Sequence, residues 1–312
     1  MKTYRRRIAR QMMGAGAGLL LDRAFGELPV EVHPVARFGK VMTELEMFLW
    51  RATKASGASY GFLGLSLASL ASPLVSSPFI GTAIGTYIAV AERSLLENAS
   101  AIDSSLERGD LELARGQLPS LVGRDPSGLE ASEIARAVVE SVAENSSDAV
   151  IAPMFYGALL GGAGSLVYRS INTMDAMVAY KNPRYVDFGW FSARLDDIAN
   201  YLPSRLAVLL SWSAPTGRSA KLGLILEDAS RHPSPNAGVI EAVYAHKLGI
   251  MLGGVNSYGG QTEIRHEMGE GPSASRHDIK RAADLCRRSD TFFAVILIVA
   301  GALLALWPRG KR

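Results

Sequence analysis

Residues 144–200 read ENSSDAVIAPMFYGALLGGAGSLVYRSINTMDAMVAYKNPRYVDFGWFSARLDDIAN, and the division of this stretch decides the fold. An acidic, amide-rich patch (Glu144, Asn145, Asp148) runs directly into an apolar, glycine-rich segment over 149–168. Beyond it come Asn172 and Asp175, then Lys181, Asn182 and Arg184, then Arg194, Asp196, Asp197 and Asn200. Ionisable groups inside or against hydrocarbon are costly unless they pair, hydrate or bind something. So much polarity at both ends of membrane-grade sequence marks a site rather than a scaffold.

The rest of the chain agrees with a membrane setting. Of 312 residues, 48% are hydrophobic, and these are clustered rather than spread. The mean hydropathy of +0.13 is high for a soluble protein. A net charge of +3 and a pI near 9.0 suit the positive loops of a membrane protein. No basic run is interleaved with aromatics, which argues against nucleic-acid binding. Cys286 is the only cysteine, leaving no intramolecular disulfide and no cysteine cluster for zinc. The five histidines never fall in HExxH spacing, which disfavours a zinc hydrolase, and no GxxxxGK[ST] is present to hold a nucleotide.

Taken in order, 1–10 is basic and 11–21 apolar, ending in Asp22-Arg23 rather than a small-residue cleavage site. This reads as a retained helix, short for a comfortable span, with Asp22 either facing water at its end or belonging to the site. His33-Pro34 opens a helix to Lys54 with an apolar stripe of Val41, Leu45, Phe48 and Leu49, suited to the membrane surface, His33 being a turn residue or a ligand. The run 57–91 is cut by the prolines of 72–78 and predicts a hairpin of two short membrane helices. A polar helical insert covers 92–148. Within it Ile134, Val138 and Val142 form an apolar stripe, while Glu140, Glu144 and Asp148 recur on another face. Residues 149–214 supply core membrane helices (149–168 and 198–214) around the site loop, and 215–290 is a polar segment whose basic stretch 272–288 reads as disordered or surface-helical. The final helix, 291–307, is followed by Arg309, Lys311 and Arg312. The expected fold is an all-α polytopic integral membrane protein with about five short transmembrane helices plus surface and cytoplasmic ones, acting as one catalytic domain over 1–312.

The candidate chemistry admits two readings at each place. The Glu140, Glu144 and Asp148 face is either a solvated acidic surface or a cation site, since Mg²⁺ is commonly held by one or two carboxylates plus substrate phosphates. Lys181, Asn182 and Arg184 form either an anion clamp or an interfacial basic-aromatic belt. Asp196 and Asn200 share a helix face and Asp197 lies about 100° round, so they hold metal or phosphate, or simply favour the helix dipole. Asn236, in His232-Pro-Ser234-Pro-Asn236, either caps a helix or binds a ligand. The glycine pairs flanking Asn256 and Tyr258 let backbone amides approach a ligand, or make a plain turn.

Five stretches then carry a resemblance: HPVARFGK, VGRDPSGLEASEIARAVVESVAENSSDAVIAPMFY, INTMDAMVAYKNPRYVDFGWFSARLDDIANYLPSRL, SPNAGVIEAVYAHKLGI and LGGVNSYGG. In this order, from about residue 20 to 260, they resemble the CobD/CbiB family, the adenosylcobinamide-phosphate synthases of cobalamin biosynthesis. The tail 261–290 has no counterpart among those motifs. The resemblance implies an integral membrane ligase; the Lys and Arg residues of 92–149 and 215–289 suggest that both polar segments, and with them the site, face the cytoplasm, with the topology open by one crossing. The ligase would join the propionate carboxyl of adenosylcobyric acid, a corrinoid, to (R)-1-aminopropan-2-yl phosphate or a related amino alcohol, using ATP and Mg²⁺. A carboxylate is a poor acyl donor, so the expected path runs through an acyl phosphate. On this reading Glu144, Asp148, Asp196 and Asp197 hold Mg²⁺. Lys181, Arg184 and Arg194 hold phosphates, and Asn145, Asn172, Asn182, Asn200, Ser234, Asn236, Asn256 and Tyr258 orient substrates. Asp175 accepts the amine proton, with Glu144 and Asp148 also in the catalytic set. The expected partners are the two substrates and the bilayer, with no nucleic acid; a homo-oligomer or a complex with other cobalamin-pathway enzymes stays open. Two other readings stay open as well, a membrane transferase using a Mg-bound diphosphate and a non-catalytic membrane sensor on the same fold. A transporter is disfavoured by the lack of repeated halves.

Overall fold

The computed structural model describes residues 2–123, 125–258 and 261–307, apart from the side chains of Lys2 and 256–263. The sequence reads as one domain, whereas the backbone gathers into two compact units. The first comprises Met1–Ala91, Asp148–Asn200 and Phe293–Arg312; the second comprises Glu92–Ser147 and Tyr201–Phe292. Both are built almost wholly of helices, with one correction to the all-α expectation, a two-stranded hairpin in the second unit.

The first unit opens with α1 (Lys2–Phe25), longer than its apolar run predicts. It packs on α4 (Ile80–Ala89) and α8 (Ala152–Leu160), where Gly14 and Gly18 leave no room for a Cβ beside Thr82 and Thr86. Asp22 is fully buried rather than facing water. In α2 (Pro34–Leu49) Pro34 sits where a missing N–H costs nothing, and His33 caps the helix by accepting the Val35 N–H at its Nδ1 (3.2 Å). The buried stripe of α2 is Phe38, Met42, Leu45 and Leu49, not the Val41, Leu45, Phe48, Leu49 stripe expected. Phe48 is 86% exposed, because the core offered to α2 by Tyr60, Met174 and Phe188 meets the face that carries Met42.

The run 57–91 divides as expected into two short helices, α3 (Lys54–Ser69) and α4, joined through a short 3-10 turn at Ser72–Val75. They do not pack as a hairpin, however: α4 lies on α1, and α3 and α4 both pack on the helix Gly162–Val178. The run 149–168 is not one helix. A π-turn covers Ser146–Ile151, and Gly161 at φ +81° ends α8 and starts α9 (Gly162–Val178). Only glycine adopts that φ without strain, so the chain breaks there. Two hydroxyls satisfy one another inside the apolar core, Thr86 and Ser165 at 2.9 Å, with Ser165 Oγ also donating to the Pro153 carbonyl (2.9 Å).

Helix α10 (Trp190–Ser213) contributes its residues up to Asn200 to the first unit, and α13 (Arg276–Leu306) contributes its end. Among the described residues, α13 is the one helix long and apolar enough to cross a membrane. Helices α3, α4 and α8 have 16, 10 and 9 residues, short of the roughly 20 that span hydrocarbon. The stretch 272–288, expected as disordered or a separate surface helix, is the polar start of α13 from Arg276 onward.

The second unit holds α5 (Glu92–Glu107), α6 (Leu111–Gln117), α7 (Ala131–Asn145), α11 (Leu222–Ser230) and α12 (Ala237–Leu248). The expected stripe of α7 is correct, with Ile134, Val138 and Val142 all fully buried. Lys247 of α12 donates its Nζ to the carbonyls of Ala214 (2.8 Å) and Trp212 (3.2 Å), supplying a cation to the spent C-terminal end of α10. Cys286 donates to Asp290 Oδ2 (3.2 Å) in a buried trio with Glu92, every member of which is already engaged.

The hairpin pairs β1 (Leu252–Tyr258) with β2 (Gln261–Met268), antiparallel, with Val255 opposite Ile264 and a bulge between Leu252 and Gly254. Asp228 of α11 ties it down. Its carboxylate accepts the Gly269 N–H (2.9 Å) and faces His246 Nε2 (2.9 Å) and His266 Nε2 (3.5 Å), with Arg231 beside His266. Burial alone would raise this carboxyl, but the Gly269 N–H and the two imidazoles outweigh it and hold it below its usual 3.8. A depressed carboxyl stabilises the fold above its unfolded value and loses that contribution as pH falls through the folded one. Asp228→Asn is therefore expected to lose about 1–3 kcal/mol near neutral pH. It should also flatten the acid limb of stability below pH 3.8, read from thermal unfolding of wild type and variant across pH 2–7.

Candidate functional site

A string of polar side chains joins α9 and α10 in the first unit. Asn172, one step along the polar stripe of α9, donates to Asp196 Oδ1 (3.4 Å), and Asn200 donates to Asp196 Oδ2 (2.9 Å). The other side of the Asn200 amide accepts from the fully buried Tyr168 hydroxyl (2.7 Å), which also lies 3.1 Å from the Asp148 carbonyl. The i, i+4 spacing of Asp196 and Asn200 thus works as the sequence suggests, with Asn172 and Tyr168 supplied by the neighbouring helix.

Asp175, half-buried one turn beyond Asn172, faces the same acids. Burial, with the charges of Asp196 and then Asp197 added, pushes its carboxyl up to about 8. Burial likewise pushes Asp196 up to about 6, against the pull of the Asn200 and Asn172 amides. Cations stand around this acidic centre. Arg169 donates to Asn172 Oδ1 (3.2 Å), and Arg194 pairs with Asp197 Oδ2 at 3.6 Å. His33, at the start of α2, feels the Arg169 charge, although burial is the larger cause of its lowered pKa. Three hard carboxylates thus lie near enough to feel one another's charge, two of them made costly to ionise, and carboxylate oxygens are the ligand type that divalent cations such as Mg²⁺ take.

The loop 180–189 uses its polar groups differently. Arg184 pairs with Glu46 of α2 (3.1 Å) and lies over the Trp50 and Tyr185 rings (4.7 and 5.3 Å). Tyr185 Oη donates to the same Glu46 oxygen (2.7 Å), and Trp50 Nε1 donates to the Arg184 carbonyl (3.2 Å). Asn182 Oδ1 accepts the Tyr185 N–H (3.0 Å), an Asx turn that shapes the loop. Lys181 is exposed and, among the described residues, makes no such bond. Of the three, Lys181 is the one with no side-chain tie among the described residues, while Arg184 commits one guanidinium nitrogen to Glu46 and stays half exposed.

In the second unit a second polar cluster forms. Glu140 and Glu144 of α7 and Glu241 of α12 face one another, with His232 and Arg265 beside them. The Glu140 carboxylate is 2% exposed and accepts the Gly253 N–H at 2.9 Å. Glu140 is therefore not solvated, while Glu144 and Asp148 are only half-buried. Glu241 is fully buried and is the one acid of α12. Burial, then Glu144 and Glu140, holds it far above the carboxylate range, with Arg265 opposing. His232 Nε2 lies 3.7 Å from Glu241 Oε1, and burial keeps the imidazole below its usual value.

Other expected residues have local work. Asn145 turns its Nδ2 onto its own helix, at the Ser141 carbonyl (3.0 Å). Ser234, not Asn236, caps α12, accepting the Ala237 N–H at Oγ (3.2 Å). Asn236 Oδ1 instead accepts from Arg205 (2.6 Å) and Ser204 (3.2 Å), with Arg205 over the Tyr201 ring. Glu144 and Asp148 do not continue one register, since the π-turn begins between them; Glu144 belongs to the second unit and Asp148 to the first. The strand backbone carries Asn256 and Tyr258, but their side chains lie outside the described residues, as do Arg309, Lys311 and Arg312.

The sequence reading assigned no role to Tyr168, Arg169, His232 or Glu241. Arg169 shared the three-residue step with Asn172 and Asp175, and Glu241 was a lone acid inside GVIEAVYA; both were signals that spacing could have given.

The family model described as CobD/Cbib protein matches residues 15–286. A protein of Mycobacterium tuberculosis (strain ATCC 25618 / H37Rv) named cobalamin biosynthesis protein CobD is 42% identical over 299 residues, covering 92% of this chain and 95% of its own. Proteins of the same name from Chromobacterium violaceum and Halalkalibacterium halodurans are each 37% identical, over 92% and 95% of this chain and 95% and 98% of their own. No solved structure matches the chain. With the family model spanning the helices that carry both polar clusters, the chain belongs to the CobD/CbiB family.

Proposed function

We propose that this protein acts in cobalamin biosynthesis as an ATP- and Mg²⁺-dependent ligase. It joins the propionate carboxyl of adenosylcobyric acid to (R)-1-aminopropan-2-yl phosphate, or a related amino alcohol, to give adenosylcobinamide phosphate. The observation that carries this reading is the α9–α10 centre, where Asp175, Asp196 and Asp197 sit among Arg169 and Arg194. Amide formation from a carboxylate requires activation, and transfer of the ATP γ-phosphoryl to the carboxylate oxygen gives an acyl phosphate and ADP. The amine nitrogen then attacks the acyl carbon, phosphate leaves, and the nitrogen loses a proton.

In this scheme Asp196 and Asp197 hold Mg²⁺, and Asn172 and Asn200 fix the Asp196 carboxylate by bonds to both of its oxygens. When bound, Mg²⁺ supplies charge neutralisation for phosphate oxygens. Arg169, Arg194 and Lys181 orient phosphate groups, and Asp175, beside them on α9, takes the amine proton. Arg184 holds the loop that carries Lys181 through Glu46. The donor chemistry, hard oxygens ringed by guanidinium groups, suits Mg-phosphate better than an uncharged ligand.

The membrane belongs to the same proposal. Helix α13 has the length and hydropathy of a span, and the first unit exposes large apolar side chains that water does not favour, among them Phe62, Leu74, Ile198, Leu303 and Leu306. The protein is expected to stay with membranes after a carbonate wash and to need detergent for release. Recovery of most of it in the soluble fraction would remove the membrane from this reading.

The direct assay incubates the detergent-purified protein with adenosylcobyric acid, aminopropanol phosphate and Mg-ATP. The corrinoid should gain the mass of the amide-linked amino alcohol phosphate, and ADP should appear in equal amount. Unchanged corrinoid mass, with all three present, overturns the ligase. Asp196→Asn removes the charge and keeps the size, but it turns one of the two oxygens bonded by Asn172 and Asn200 into an NH2 donor. It should raise the Mg²⁺ needed for half activity by about tenfold or more. An unaltered Mg²⁺ titration would take Asp196 out of the metal site.

Lys181→Ala should raise KM for one phosphorylated substrate roughly ten- to a hundredfold, as loss of a charge-assisted bond requires. Arg184→Lys, which keeps the charge but loses the planar stack on Trp50, should mainly lower thermal stability. Titrating each substrate in turn separates the two roles, and equal KM effects in both variants would contradict the division.

A further inference from the structure

One arginine of the second unit is held in place without an acid. The Nη1 of Arg205 donates to Asn236 Oδ1 (2.6 Å) and to Ser204 Oγ (2.9 Å), with the Tyr201 carbonyl at 3.2 Å. Arginine only donates, so the Asn236 oxygen, not its amide nitrogen, must face it. Ser204 Oγ donates to that same oxygen (3.2 Å). The guanidinium carbon also lies 4.0 Å from the centroid of the Tyr201 ring. Ser204 is fully buried and Asn236 nearly so, which leaves the guanidinium little freedom to turn.

Every one of these partners is neutral. Among the described residues Arg205 makes no ion pair, whereas Arg231, Arg276, Arg281 and Arg288 of the same unit each reach a carboxylate. A half-buried positive charge resting on neutral acceptors keeps most of its demand for an anion. The bonds also decide which edge is left over. Nε and Nη2 carry the parallel N–H groups of a guanidinium, the pair that meets two oxygens of one anion. Here the ties fall on Nη1, and neither Nε nor Nη2 has an acceptor among the described residues. Tyr201 is 55% exposed, so the stacked pair reaches the surface.

We propose that Arg205, aligned by Asn236, Ser204 and Tyr201, is a binding site for a phosphoryl group, carried by a soluble phosphate ester or by a phospholipid headgroup. A planar fork grips two phosphate oxygens at once and leaves the ester side of the ligand outside the contact. Arg205 touches the ligand, while Asn236 and Ser204 position it. A fork already fixed before the ligand arrives loses little freedom on binding, which is what its neutral ties contribute. The site does not rest on the ligase reading.

The test uses the full-length protein, freed of lipid in detergent, with Mg²⁺ absent. In one arm (R)-1-aminopropan-2-yl phosphate and ATP are titrated by calorimetry. In the other the protein is placed in nanodiscs of phosphatidylglycerol or of digalactosyldiacylglycerol, a bilayer lipid without phosphate. Hydrogen exchange over 201–206 and 233–238 is followed in both. A soluble ester should slow exchange in those segments, and Arg205→Gln should weaken its binding about ten- to a hundredfold, with Arg205→Lys recovering only part. A phospholipid should slow exchange in phosphatidylglycerol but not in the galactolipid, and Arg205→Gln should abolish that difference. Absence of protection in the wild-type protein in both arms overturns the site whether or not the variants fold. Binding or protection that folded Arg205→Gln leaves unchanged overturns it too. Because binding is read without Mg²⁺ or turnover, an inactive ligase would leave this result untouched.

Discussion

Two amide side chains carry the weight of the first unit's chemistry. Asn172 and Asn200 each donate to one oxygen of Asp196, and Asn200 in turn accepts from the buried Tyr168 hydroxyl. A half-buried carboxylate without donors would neutralise itself or pull apart the helices that hold it. With both oxygens bonded, the acid stays where α9 and α10 meet, and Asp175 and Asp197 are brought near it at an electrostatic cost that the proposed Mg²⁺ would relieve. Burying the acids raises their energy, while the amides keep that energy from being released by local rearrangement. The helical packing around them, glycine against hydroxyl and methionine against ring, serves to keep those two amides in register.

How much of this was legible depended on whether a residue's partner was near it in sequence. The α7 stripe of Ile134, Val138 and Val142 was readable, because a buried face repeats with the helix itself. The same reasoning chose the wrong stripe for α2, since several apolar residues lie all round it and only the core at Tyr60 and Phe188 decides which are covered. The break at Gly161 sat within a glycine-rich run whose composition also suits close helix packing, and composition cannot separate the two uses. The hairpin carried a signal that went unread: Gly259-Gly260 between two runs with alternating polarity is a two-residue hairpin pattern.

The site was legible in part for the same reason. Asp196 and Asn200 share a helix, so their spacing reveals them. Asn172 was visible as a polar residue on its own helix, but its tie to Asp196 was not. Arg184 looked like a phosphate ligand because its partners Glu46 and Trp50 lie far back in the chain. Glu241 and His232 were hidden by their settings, one inside the run GVIEAVYA and one beside a proline. Each acquires meaning only from the other. Family membership, shown over most of the chain, implies a role in cobalamin biosynthesis but does not tell the two acidic clusters apart.

The opening helix and the closing one touch. Gly16 of α1 fits against Ala294 and Ile298 of α13, and Arg5 reaches the Trp307 carbonyl at 3.0 Å, across 302 positions of sequence. Synthesis runs from the amino end, so α1 is made long before α13, and its glycine face stays uncovered until that helix follows. Until then the first unit lacks a wall. Such distant pairing slows assembly and lengthens the time during which apolar surface is open to wrong partners. Holding the nascent protein in or at a bilayer would protect that face while it waits, and damage to α13 would be felt at α1.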